Sequence, residues 1–163
     1  METDDGAENR FAKIQAIVEQ CRYGIHDLSR TESDGNPPLP RFNMPLELGL
    51  FIGARRYGDE EQKRKSVLIL DVEQYRYQRF ISDIAGQDIR AHGGEPARAI
   101  EAVATWLRIQ SRSTTVPGGR RIAGEFAQFQ ERLPEILAVR QLHIDEMGFG
   151  DFVAIVTAWI TEL

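Results

Sequence analysis

Cysteine is almost missing from this chain: Cys21 stands alone. A lone thiol excludes an internal disulfide framework and any zinc cluster built on cysteines, and it fits a reducing compartment. Because Cys21 ends an apolar helical stripe, it reads as a packing residue rather than a nucleophile. Long hydrophobic runs are missing too. No apolar stretch reaches the roughly 20 residues that cross a bilayer. The acidic start, METDDGAENR, lacks the basic and apolar regions of a signal peptide. The expectation is a cytoplasmic protein without membrane contact. A basic excess is also lacking. The net charge of -5 argues against a nucleic-acid partner, whose phosphates require a basic face. The local run QKRKS (Gln62–Ser66) reads as a solvated loop.

What is present is the balance of a globular chain. Its 163 residues, 42% hydrophobic and 28% charged, suit one domain, or one domain with a helical appendage. Phe11, Ile14, Ile17, Val18 and Cys21 recur at helical spacing and predict a helix over about residues 9–21. YGIHDL (Tyr23–Leu28) reads as a strand. The stretch SRTESDGNPPLPRFN that follows is fifteen residues long with three prolines, a length more typical of lids and binding loops than of connectors. Pro45 suits the first turn of a helix, where its missing N–H costs nothing. That helix, about Pro45 to Arg56, is expected to bury Leu46, Leu50, Phe51 and Ala54. Gly49 and Gly53 would let it approach a sheet closely.

SVLILDV (Ser66–Val72) is a continuous apolar run, as in a parallel strand buried on both faces. RYQRFISDIAG (Arg76–Gly86) predicts a helix stopped by Gly86, and QDIRAH (Gln87–His92) a further strand. Pro96 opens a helix that faces Ile100, Val103, Ala104 and Leu107 inward. This alternation predicts an α/β fold, a three-layer Rossmann-like or flavodoxin-like parallel sheet of about three strands with right-handed crossovers. After RSTTVPGG (Arg112–Gly119) the pattern is purely helical. Ile122, Phe126, Phe129 and Leu133 mark one helix; Phe152, Val153, Val156, Trp159, Ile160 and Leu163 mark another. The division is an α/β domain over 1–112 and a C-terminal helical pair over 113–163.

Ligands of open parallel sheets bind beyond the carboxyl ends of the strands. That rule selects Asp27 and Ser29 after the first strand, and Asn43 and Glu47 at the next helix start. It also selects Asp71, Tyr75 and Tyr77 after the second strand and His92 after the third. Asp83 and Asp88 fall at the opposite edge. Glu47 near a helix N-terminus is held ionised by the dipole, by roughly 0.3–1 kcal/mol. An ionised carboxylate in a partly dry pocket stabilises or attacks an oxocarbenium-like carbon. Its other reading is a cap, since it stands third from Pro45, the glutamate position of a capping box. Asp27 reads as a ribose-hydroxyl acceptor or a loop cap, and His92 as a ligand contact or a surface histidine. His26 should point opposite to Asp27 and pack; His143 has no partner in view. None of these readings needs a metal.

GIHDLS, the proline-bearing loop, RFNMPLELGL and SVLILD together resemble a group of bacterial proteins. These are related to Toll/interleukin-1-receptor-like (TIR-like) domains and nucleoside 2-deoxyribosyltransferases. That superfamily has a strand ending in an acid, then an asparagine with a glutamate four residues on, as PNVxYELG. Asn43 and Glu47 keep the spacing, and Leu48 and Gly49 complete ELG; RFNMP departs from PNVxY. The resemblance covers about residues 5–110. It implies hydrolysis or transfer at an N-glycosidic bond of a nucleoside or nicotinamide dinucleotide (NAD), which would be substrate rather than cofactor. Glu47 and Asp27 would be catalytic, with Ser29, Asn43 and His92 binding substrate. A role in bacterial defence or nucleotide signalling belongs to the same implication, as does the alternative of a non-catalytic sensing or protein-interaction module. Relatives begin with a strand, a helix and a second strand, so this domain is expected to be N-terminally incomplete. YGIHDL would then be an exposed edge, covered by a second copy in a homo-oligomer, by another partner, or by the C-terminal helices.

Overall fold

A computed structural model describes residues 9–31 and 41–162. The chain runs α1 (Arg10–Gln20), β1 (Tyr23–Asp27), α2 (Asn43–Tyr57), β2 (Ser66–Asp71), β3 (Ile89–Ala91), α3 (Pro96–Ser111), α4 (Gly119–Val139) and α5 (Phe149–Thr161). The strands form one parallel sheet in the order β1-β2-β3. Helices and turns cover both faces, so the α/β Rossmann-like architecture with a helical C-terminus stands. Most of the expected lid, residues 32–40, lies outside the described residues. No helix among the described residues is long and apolar enough to cross a membrane.

The alternation of β2 explains the layers. Ile69 joins Leu28, Leu48, Tyr77 and Ile89 on one face, under α2, while Leu68 and Leu70 meet Trp106 of α3 on the other. β1 divides the same way. Tyr23 stacks edge-on against Trp106 at 5.9 Å, and His26 meets Phe51 of α2 at 5.5 Å. Tyr23, Ile25 and Asp27 therefore share the α3 face, and Gly24, His26 and Leu28 the α2 face. α1 lies beside α2, its amino end capped by the Asn9 side chain, which accepts from Phe11 N at 2.9 Å. The ammonium of Lys65, only 3% exposed, donates to the carbonyls of Val18 and Cys21 at the other end.

Several expectations are corrected. A Cβ at Gly49 or Gly53 would meet nothing within 4 Å, so neither glycine brings α2 to the sheet. The close approach is at Gly24, where a Cβ would stand 2.8 Å from the Phe51 ring. The α2 residues buried are Pro45, Leu48 and Phe51, whereas Leu46 is exposed. Arg76–Gly86 is not an α-helix but two short 3-10 turns, Arg76–Arg79 and Ser82–Ile84. Its start is set by Tyr75 in the left-handed region and by Arg76, which turns inward. Cys21 is exposed, because it lies past the last turn of α1 as its carboxyl cap, in extended backbone. In α5 the packed side is Ile155, Val156 and Trp159, while Phe152, Val153 and Ile160 are exposed. Leu163 lies outside the described residues.

Helices α4 and α5 close their own apolar cluster around Phe129, Leu137 and Ile155. The amino end of α4 sits on α3: a Cβ at Gly119 would fall 2.5 Å from the Glu101 backbone. Gly24→Ala is expected to destabilise by about 1–3 kcal/mol, as overpacking does. Phe51→Leu in the same chain should relieve part of that loss, as read from urea midpoints.

Candidate functional site

The carboxyl end of the sheet is organised by a buried ion pair. Asp71, at 0% exposure, ends β2 and would be costly there unpaired. Arg76 supplies the pairing, its Nε 2.8 Å from Asp71 Oδ1 and its second terminal nitrogen (Nη2) 2.7 Å from the same oxygen. Val72 N donates to that oxygen too, at 2.7 Å. The guanidinium also donates to Leu28 O at 2.6 Å, so one side chain ties the ends of β1 and β2 together. Asp71 Oδ2 is buried with no hydrogen-bond partner among the described residues.

Above this clamp, Asp27 and His92 meet. Asp27 accepts from Ser29 N at 2.9 Å, the turn a carboxylate at a strand end favours. His92 Nε2 stands 3.4 Å from the same oxygen, Asp27 Oδ1. Gly94 N donates to His92 Nδ1 at 3.1 Å, which leaves the neutral ring its proton on Nε2, facing the carboxylate. Gly93 and Gly94, both at positive φ, allow the chain to fold back in this way. The His92 backbone is held by its N–H to Asp71 O at 3.0 Å. The ring is buried and the carboxylate side chain is 44% exposed, so the pair presents an acceptor to solvent with a donor behind it.

Glu47 lies elsewhere. It lines a groove of about 240 Å³ between α1, β1 and α2, with Ile14, Ile17, Val18, Cys21, His26 and Phe51. Loss of water pushes its carboxyl pKa up, an effect opposed by the charge of Arg10. His26 shares the groove, 6% exposed, with neither ring nitrogen partnered among the described residues, and burial pushes its pKa down to about 4. Helix α2 begins at Asn43, after Phe42 as N-cap, so Glu47 is its fifth residue and does not hold the capping-box position. The capping reading of Glu47 is thereby corrected.

The structure thus brings Asp27, Ser29 and His92 together and places Glu47 in the groove with His26 and Phe51. Asp27 leans across β2 toward the end of β3, while Glu47 faces the free side of β1, on the opposite face of the sheet. Asn43 is exposed at the start of α2. Tyr75 is exposed and Tyr77 packs in the core. The residue the sequence reading missed is Arg76, whose only signal was its place five residues after a strand-ending acid. Among the described residues no group of three or more His, Cys, Asp or Glu side chains could hold a metal.

Fold and geometry define an α/β Rossmann-like protein with a polar cluster at the carboxyl ends of its strands. No protein-family model matches the chain, and no curated protein or solved structure matches it significantly.

Proposed function

We propose that this chain is a cytoplasmic nucleotide- or nucleoside-binding domain of the sensing or interaction type, with the ribose hydroxyls at Asp27 and His92. The observation that carries this reading is the half-exposed Asp27 carboxylate. It is fixed by Ser29 N and His92 just where open parallel sheets take their ligands. A carboxylate accepts from vicinal hydroxyls, and the exposed part of Asp27 leaves lone pairs for them. Glu47 lines a different groove, with His26 and Phe51, and that favours binding over cleavage, because a glycosidase needs its acids around one scissile bond.

A second reading keeps the N-glycosidic reaction, and one observation favours it. A carboxyl group whose pKa is raised by its surroundings is suited to protonating a departing base. The experiment incubates wild type and Glu47→Gln with NAD and with nucleosides, following free base and, by calorimetry, binding. The first reading expects no base above the buffer blank from either protein, and binding weakened at least about tenfold by Asp27→Ala. Base released by wild type and lost in Glu47→Gln would replace it with the second.

A further inference from the structure

The free edge of β1 has the chemistry of a strand acceptor. Ser66 N donates to Arg22 O and Leu28 N to Leu70 O, so even-numbered residues here turn their backbone groups toward β2. By the two-residue period of a strand, Tyr23, Ile25 and Asp27 turn theirs outward, where no strand of the described residues lies. The register with β2 is unbroken from Tyr23 to Asp27, so no bulge twists the edge away, and the strand has no lysine or proline. Apolar side chains gather beside it: Ile25, and Ile17 and Phe11 of α1, are all exposed.

We propose that a second copy of this chain pairs at this edge, β1 against β1, antiparallel about a two-fold axis at Ile25. The outward groups of Ile25 then bond those of Ile25 in the second copy, and Tyr23 pairs with the second copy's Asp27. The five residues of β1 are symmetric about that point, so every outward donor finds an acceptor. The same axis sets the two α1 helices antiparallel. Each begins at Arg10 and carries Glu19 near its end, so Arg10 of one copy comes toward Glu19 of the other. An antiparallel pair also closes the edge, whereas head-to-tail strand addition leaves a new edge open to further copies. The second copy would wall the groove that holds Glu47 and His26.

This rests only on the interaction half of the reading above, so ligand binding and pairing fail separately. Sedimentation equilibrium over a dilution series compares wild type with Ile25→Pro and Ile25→Lys. The proline removes only an outward N–H and leaves the bonds to β2 intact; the lysine guards the edge should the proline variant not fold. We expect a wild-type dimer whose dissociation constant rises at least about tenfold in either variant. In wild type itself, dilution should speed amide exchange at Tyr23, Ile25 and Asp27 and leave Gly24 and His26 protected. A wild-type monomer at every concentration, a dimer indifferent to both substitutions, or outward amides that exchange freely in the dimer would each overturn the proposal.

Discussion

Arg76→Ala is expected to cost about 3–5 kcal/mol of folding stability, the loss seen when one partner of a buried ion pair is removed. Asp71 has no access to water, and among the described residues the guanidinium is its one charged partner. Removing Arg76 strands that carboxylate and also unpairs Leu28 O, at the point where β1 and β2 are tied. Native domains hold only about 5–15 kcal/mol in reserve, so a shift of this size is plain in a urea midpoint. The double variant Asp71→Leu with Arg76→Met should recover much of the loss, because the paired apolar replacement strands no charge. A single-variant loss under about 1 kcal/mol would place the pair among exposed ones and contradict its burial.

Acid should destabilise the protein through His26. Its folded pKa, about 4, lies below the ordinary value of 6.5 because burial penalises the charged ring. The unfolded chain therefore takes up the proton first as the pH falls. The stabilising contribution is complete above pH 6.5 and is lost between 6.5 and 4. Its size is on the order of 3 kcal/mol. Glu47, in the same groove, acts with the opposite sign. Its raised folded pKa favours the protonated acid, so its contribution is present at low pH and is lost as the pH rises through that pKa. Cys21 also lines the groove, and the Lys65 ammonium sits 5.1 Å from the Phe51 ring centre. His26→Leu isolates the imidazole. It should change stability at pH 7 by less than about 1.5 kcal/mol, since no hydrogen bond to the described residues is lost and volume is nearly kept. It should also flatten the slope between pH 6.5 and 4. An unchanged slope in that variant would assign the acid loss to other groups.

The sheet was legible because SVLILD has no polar face, which only a strand covered on both sides tolerates. The cluster of Asp27, Ser29 and His92 was legible for a similar reason: parallel strands put their carboxyl ends at one edge whatever their side chains. The direction of Glu47 was not. It depends on the rotation of α2 about its own axis, and the helix start was misplaced by Pro45, which the first turn tolerates beyond its first position because no intrahelical N–H is needed there. Phe80, Ile81 and Ile84 imitate a helical stripe because the irregular chain here turns all three onto the same core cluster. Arg76 was hidden because a buried arginine is decided by a tertiary partner. The open side of β1 was implied by the resemblance, whose missing strands would flank it, while the unguarded backbone groups there needed the register.

The chain has three histidines, so their ring signals can be assigned singly in a nitrogen-labelled sample. Titrating NAD or a nucleoside while following those rings tests directly whether ligand binds at the carboxyl ends of the strands. The account predicts that the His92 nitrogens shift with saturation while His26 and His143 stay in place. A His92 signal unmoved by saturating ligand, or a shift confined to His26 in the groove of Glu47, would contradict it.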